Sequence, residues 1–291
     1  MLKRIVRRLL RWCALANTQS IFQGLRFRCE SFDIEESVDL IVNGPSLKLS
    51  IDEISESRRC SMVVNHFADF EYFEQLKPKY YVIQDSYFWQ RGVMPHYEEK
   101  RAKTYISLSE KTLWPIVLFL PSFADFSFVR KNIKNDNIKI VTYHAQYLVS
   151  CTKEFRSFIK PKKWLFYLWK KNILAPPPDN VLVGATYVAF LGGAKEVFLY
   201  GADMSFFKGL EVDQESNEVG ILQSHFYGDE FHRHFKDKMG KTPTTMSYEL
   251  EKWAKVFRTM AILNDFYDLN GLKVINQSKH SYLDMFARSI K

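Results

Sequence analysis

The sequence predicts an α/β fold, a Rossmann-like open parallel sheet, and three observations lead there. Short apolar runs such as Val38-Asp39-Leu40-Ile41-Val42 and Cys60-Ser61-Met62-Val63-Val64 stop abruptly at polar residues, as buried strands do. Helix-like stretches separate them, so that strand, polar carboxyl end, helix and strand follow one another. An apolar content of 46% with 15% aromatics supplies a sizeable core for 291 residues, enough for one large domain or a domain with an appendage.

Taken in order, residues 1–34 read as a basic arm. Leu2, Ile5, Val6, Leu9, Leu10, Trp12 and Cys13 fall on one side of a helical wheel, with Lys3, Arg4, Arg7, Arg8 and Arg11 on the other. An apolar stripe opposite a purely basic face suits a helix lying in an anionic membrane interface. The arm explains the charge. The formal net charge is +8, but seven of the 41 basic residues precede the first acid, and the rest of the chain is close to balance. A nucleic-acid-binding body is therefore not expected. Cys13, Cys29, Cys60 and Cys151 have no metal-ligand spacing and read as reduced thiols of a cytoplasmic protein. No apolar run is long enough to span a bilayer, and Arg11 interrupts what would be a signal-peptide core.

Residues 35–291 read as a single α/β domain. The first strand ends at Asn43-Gly44-Pro45-Ser46-Leu47, the second at Asn65, and a third runs through Lys79–Asp85. A short helix is expected between Phe67 and Leu76, and β-rich runs at Thr104–Leu108, Ile116–Leu120 and Ile138–Tyr143. Residues 86–180 read as a helical insertion or lid. Within them, Lys160–Lys171 sets Trp and Tyr between lysines, which fits either a headgroup-facing segment or a half-buried helix with snorkelling lysines. A buried helix follows at Val181–Leu191, then a strand at Glu196–Tyr200 running into Gly201-Ala202-Asp203. Residues 204–245 form a second insertion, too long for a passive connection. A long helix over Met246–Leu269, a strand at Leu272–Asn276 and a tail helix around Tyr282–Ala287 close the chain.

Ligands of open parallel sheets lie beyond the carboxyl ends of the strands. Asn43, Gly44, Pro45, Ser46, Asn65, Gly201 and Asp203 can therefore share one crevice. Asn offers a donor and an acceptor without charge, the Gly44 backbone can come close to a phosphate, and Asp203 can accept from a ribose or a substrate amine. Two readings of Asn43-Gly44-Pro45-Ser46 stay open, a phosphate cradle and an ordinary strand-to-helix turn. His225, in the segment after Asp203, is a candidate general base. No D-x-D, Walker or G-x-G-x-x-G motif and no G-x-S-x-G elbow occurs, which disfavours divalent-ion sugar-nucleotide sites, P-loop nucleotidases, dinucleotide enzymes and serine hydrolases.

In their order, Asn43-Gly44-Pro45-Ser46-Leu47, Asn65, Tyr200-Gly201-Ala202-Asp203-Met204-Ser205 and His225-Phe226-Tyr227 resemble the bacterial sialyltransferases of glycosyltransferase family 42. The wider MptE-like superfamily includes flagellin-glycosylating proteins and a subgroup from surface-polysaccharide clusters. The resemblance covers about 38–90 and 180–285. It implies the GT-A-like sialyltransferase variant of the fold and an inverting, metal-independent transfer from a CMP-activated acidic sugar such as sialic acid or Kdo. The acceptor would be a cell-surface glycan or lipid-linked oligosaccharide. It implies no cofactor beyond the nucleotide-sugar co-substrate, with Asn43, Gly44, Ser46 and Asn65 holding the nucleotide, Asp203 lining the pocket and His225 as base. Gln84, Asp85, Gly184, Ser205, Lys208 and Tyr227 are further candidates for donor or leaving-group contacts. The chain departs from the family at Ser205-Phe206-Phe207, where tyrosines would stabilise the leaving phosphate; Tyr227 or Lys208 would substitute. The expected partners are a nucleotide sugar, a glycan acceptor and an anionic membrane surface at the inner face of the cytoplasmic membrane. The alternatives are an MptE-like pyrophosphokinase, which would need Mg²⁺ and clustered carboxylates, and a non-catalytic nucleotide-binding component of a polysaccharide assembly complex.

Overall fold

A computed structural model describes residues 30–145, 163–225, 228–232, 240 and 243–289, with the backbone alone at Trp164, 222–225 and 228–232. The amphipathic arm and Tyr227 lie outside the described residues. Seven strands form one parallel sheet: β1 (Ser37–Ile41), β2 (Cys60–Val64), β3 (Tyr80–Val82), β4 (Ile116–Pro121), β5 (Ile138–Tyr143), β6 (Glu196–Tyr200) and β10 (Lys273–Asn276), in the order β10-β6-β1-β2-β3-β4-β5. All six pairings are parallel, as a Rossmann-like sheet requires. The chain starts in the interior of the sheet at β1, moves outward to β5, then returns to the other side of β1 as β6. The order therefore reverses between β1 and β6, the switch point at which the loops leaving two strands ordinarily diverge.

Alternation along the strands explains the three layers. Val38 and Leu40, Met62 and Val64, Tyr80 and Val82, and Val197 and Leu199 face one core. That core is closed by α5 (Lys163–Lys170), α6 (Val181–Leu191) and α7 (Met246–Asn270). Ile41, Val63, Tyr81, Leu118 and Tyr200 face the other, under α1 (Ile51–Glu56), α2 (Tyr72–Leu76), α3 (Pro95–Lys111) and α4 (Phe126–Asn132). Period-2 side chains on a strand covered on both faces give one continuous apolar run in sequence, which is why each strand was legible. Helix ends follow the same local chemistry. Asn180 caps α6 through Leu182 N at 2.8 Å, and Gly271 ends α7 with φ +81°.

Four expectations need correction. Residues 86–145 are not a lid: they supply α3, β4, α4 and β5, two strands of the main sheet among them. Thr104–Leu108 is helical, inside α3, where Thr104, Tyr105 and Leu108 share the buried face at helical spacing; their β propensity yields to that packing. The segment around Tyr282–Ala287 is extended, held by an Ile275–Ala287 bridge beside β10. The apolar face of α5 is spent inside the protein, since Leu165, Phe166 and Trp169 are buried and both rings pack on Phe266. Over Lys163–Lys170, the described part of that segment, the half-buried helix is the one that forms. Residues 204–245 hold a separate antiparallel sheet, β7 (Leu210–Val212), β8 (Val219–His225) and β9 (Gly228–His232).

One charge is buried within the sheet. Asp39 on β1 is fully buried and accepts from Arg59 Nε at 2.6 Å. Arg59 also lies over the Phe198 ring and donates to the Tyr200 hydroxyl at 3.2 Å, which in turn reaches Glu53. Arg59→Ala would leave this carboxylate without its counter-charge, and we expect a loss of about 2 kcal/mol or more in urea-unfolding free energy.

Candidate functional site

The loops after β1 and β6 meet at the point where the strand order reverses. Val42 N donates to Tyr200 O at 2.8 Å and Gly44 N to Gly201 O at 2.9 Å, so the two chains continue in contact beyond the sheet. The approach is closer than a side chain allows. A Cβ on Gly44 would lie 2.3 Å from Gly201 O, and one on Gly201, whose φ is +64°, 2.2 Å from Val42 O. Both glycines are therefore dictated by backbone contact. Pro45 follows and starts the short 3-10 helix Pro45–Ser50, a position where its missing N–H costs nothing.

Asp203 ties the two loops together. Its carboxylate is 4% exposed and accepts from Ser46 N at 2.7 Å and, by a short hydrogen bond, from the Ser46 hydroxyl. Both Asp203 oxygens are engaged by Ser46, so the residue acts as a strut between the loops, and the Ser46 N–H and hydroxyl point inward. With Leu47 N donating to Gly44 O, the Gly44, Ser46 and Leu47 N–H groups are all taken internally, so this turn does not form an open N–H cradle. Burial raises the Asp203 pKa above its ordinary 3.8, opposed by the two Ser46 hydrogen bonds and by the charge of His280.

Asn43 and Asn65 continue the row across the sheet. Asn43 Nδ2 donates to Val64 O at 3.2 Å, joining the ends of β1 and β2, while its Oδ1 is buried with no partner among the described residues. Asn65 has the left-handed φ of +47° that Asn tolerates, and its side chain joins β2 to the residues after β3, donating to Asp85 Oδ2 at 2.8 Å and accepting from Gln84 N at 3.3 Å. Met204, directly after Asp203, is also left-handed at φ +54°. Two unusual backbone positions thus flank the same edge.

Other candidates fall elsewhere. Gln84 is buried, donates to Pro178 O at 3.0 Å and accepts from the Tyr143 hydroxyl at 2.9 Å. Gly184 is the space Gln84 fills, since a Cβ there would meet Gln84 Oε1 at 1.8 Å. These two are packing partners. Asp85, Pro45 and Ser205 remain partly or fully accessible at the edge. Lys208 is exposed, with Nζ 5.1 Å from the Tyr282 ring centre. His225 ends β8, in register with Gly228, so it belongs to a strand of the antiparallel sheet rather than to an irregular loop.

Sequence reasoning missed the segment after β10. Ser278 Oγ accepts from Ala202 N at 2.9 Å, Ser281 Oγ donates to Ala202 O at 2.6 Å, and Tyr282 N donates to Asp203 O at 2.9 Å. These contacts lash 278–282 to the turn after β6; read locally, Ser-Lys-His-Ser signals only a polar loop. His66 was also missed. It is buried beside Asn65, with Nδ1 2.6 Å from Thr104 Oγ1 and Nε2 in a short contact with the Tyr87 hydroxyl, and it steadies the β2 end from below. Among the described residues no group of three or more His, Cys, Asp or Glu side chains is placed to hold a metal ion. A cleft of about 400 Å³ lined by Lys163, Phe166, Asp265, Asp268 and Leu269 lies between α5 and the end of α7, at the opposite edge of the sheet.

No protein-family model matches the chain, and no curated protein matches it. Among solved structures, it is similar to a MAf glycosyltransferase from Magnetospirillum magneticum AMB-1, with 14% identity, a TM-score of 0.47 and 94% of this chain covered. It spans only 38% of that protein's length. It is also similar to the sialyltransferase CstII from Campylobacter jejuni in complex with cytidine-5'-monophosphate, with 14% identity, a TM-score of 0.42 and coverage of 89% of this chain and 86% of that one. The monofunctional alpha-2,3-sialyltransferase Cst-I from the same organism gives 18% identity, a TM-score of 0.42 and coverage of 90% and 85%. Likeness at this level does not speak to activity.

Two variants test the strut and the glycine contact. Gly201→Ala places a methyl against backbone at a left-handed position and should cost about 3 kcal/mol or prevent folding, read by urea unfolding. Asp203→Asn keeps the Ser46 contacts without the charge. Because the folded-state pKa of Asp203 is raised, the native protein holds this proton more tightly than the unfolded chain. Stability should therefore fall as pH rises from 3.8 through the raised value, and Asp203→Asn should flatten that part of the melting-temperature profile.

Proposed function

We propose that the chain is a glycosyltransferase that binds a nucleotide sugar at the carboxyl edge of the sheet, over the joined β1 and β6 loops. One observation carries this reading. Asn43-Gly44, Asn65 and Gly201, set apart by up to 158 residues of sequence, are brought side by side where the strand order reverses, the place where open α/β sheets take nucleotides. The unspent acceptor Asn43 Oδ1 lies at this edge, and a buried acceptor without a partner needs a donor that a ligand can bring.

The donor is a CMP-activated acidic sugar and the acceptor a surface glycan or lipid-linked oligosaccharide, a reading that the motif order Asn-Gly-Pro-Ser, Asn, Gly-Ala-Asp and His supports. The reaction inverts the anomeric carbon. His225 takes the proton of the acceptor hydroxyl, that oxygen attacks the anomeric carbon, and the nucleotide leaves with the bonding electron pair. The donor set at this edge supports metal independence: Asp203 accepts two hydrogen bonds from Ser46, and Asp85 one from Asn65. Oxygen-seeking divalent ions prefer carboxylates that can turn toward them. The basic arm holds the enzyme at the inner face of the cytoplasmic membrane, where its charge favours anionic lipid.

CMP should raise the melting temperature without Mg²⁺, more than UDP, GDP or ATP do. A response to ATP with Mg²⁺ alone would instead favour pyrophosphoryl transfer and overturn the reading. His225→Ala should lower transfer from a CMP-activated acidic sugar by about 10²-fold or more while CMP stabilisation persists, and unchanged transfer would rule out the base. Deleting residues 1–16 should release the protein from sedimenting vesicles that contain anionic lipid; equal sedimentation would rule out the arm as the anchor.

A further inference from the structure

The strap formed by Ser278–Tyr282 has a geometry that a passive tail does not need. Beyond its hydrogen bonds to Ala202 and Asp203, it is braced from behind by Arg288, which donates to Ser278 O at 2.9 Å and Ser281 O at 3.2 Å. Lys279 is held by Glu53 of α1 at 3.4 Å. Among the polar side chains of the strap, Ser278, Lys279 and Ser281 are thus committed, which leaves His280 and the Tyr282 hydroxyl. His280 is exposed, flanked on both sides by fixed residues, and its ring has no hydrogen-bond partner among the described residues. Its neighbours Ser281 and Tyr282 are hydrogen-bonded to Ala202 O and Asp203 O, which places the residue beside the turn after β6.

Charge gives the position a chemical meaning. The Asp203 carboxylate is buried and engaged with Ser46, so the accessible rim of the β6 turn presents hydrogen-bond donors: the His280 imidazole on the strap and the Lys208 ammonium, poised over the ring of Tyr282. A rigid backbone carrying an uncommitted donor next to a lysine suits an anion, because the cost of ordering the donor has already been met in folding. Phe206 and Phe207, which follow the turn in sequence, carry no donor and are packed elsewhere. Phe206 stacks on Trp253 at 5.0 Å, and Phe207 packs edge-on to Tyr282 at 5.1 Å.

We propose that His280 is a nucleotide-binding residue: its imidazole donates a hydrogen bond to the phosphate of the nucleotide held over the joined β1 and β6 loops, with Lys208 supplying positive charge. This rests on the nucleotide-site reading above and assigns the phosphate end of that site to the strap after β10. It also orients the ligand. The phosphate lies toward β6 and β10, and the nucleoside toward Asn43 and Asn65.

Calorimetric titration with CMP and with cytidine tests the assignment on the full chain. His280→Ala should weaken CMP binding by about tenfold or more and leave cytidine binding unchanged, since only the charge-assisted contact is lost. His280→Lys should keep most of the CMP affinity, and Lys208→Ala should weaken CMP binding in the same sense. As His280 is exposed, the ligand-free melting temperature of His280→Ala should match that of the unaltered protein, which separates binding from folding. Equal CMP affinity in His280→Ala and the unaltered chain would overturn the proposal while leaving the nucleotide site standing. Equal weakening of CMP and cytidine would overturn it in favour of a structural role for the strap. Binding of neither CMP, CDP, UDP, GDP nor ATP by the unaltered chain would overturn the site reading and this proposal together.

Discussion

The backbone contact between Gly44 and Gly201 is the constraint on which the rest of the edge depends. Where the strand order reverses, the loops after β1 and β6 would ordinarily part. Here they stay in contact, because neither residue has a Cβ to keep them separated. That approach sets Ser46 against Asp203, and the two seal the join with a pair of hydrogen bonds in a buried setting where an unpaired carboxylate would be costly. Asn43 is then placed to reach Val64 O, and Asn65 to reach Asp85, so a continuous polar row runs along the carboxyl edge from β6 to β3.

Such a row settles which groups are structural and which are available. Groups with two satisfied contacts, Ser46, Asp203 and Gln84, hold the frame. The groups left over are few: Asn43 Oδ1, the exposed rim residues Pro45 and Lys208, and His280 on the strap. The division follows from hydrogen-bond bookkeeping rather than from residue type, since Asp203 looks more functional than Asn43 on chemistry alone. The crevice is therefore less a ring of charged ligands than a rigid polar ledge with a cationic end.

The sheet also explains why the frame can be rigid. Its strands are covered on both faces, by α5–α7 on one side and α1–α4 on the other, and Asp39–Arg59–Tyr200 ties β1, β2 and β6 together within the second layer. A ledge built on strands inherits their precision, whereas one built on loops would not. His66, wedged between Thr104 of α3 and Tyr87, extends the same support to the end of β2.

The sequence by itself determined the fold class, the position of nearly every strand and the residues at the strand ends, because buried parallel strands write themselves as short apolar runs and their ends as abrupt polar turns. It also singled out Asn43-Gly44-Pro45-Ser46, Asn65 and Gly201-Ala202-Asp203 as members of one edge. It misread Thr104–Leu108, where the buried face of α3 resembled a strand, and it assigned the runs that form β4 and β5 to an insertion rather than to the main sheet. Only the tertiary structure decided what each polar residue does there. Whether Asp203 meets a ligand or Ser46 depends on a contact across 157 residues, and whether His280 belongs to the crevice depends on the place of β10 beside β6. Long-range partners leave no local signature, so hydrogen-bond commitment, and with it the division between frame and site, becomes visible only once the chain is folded.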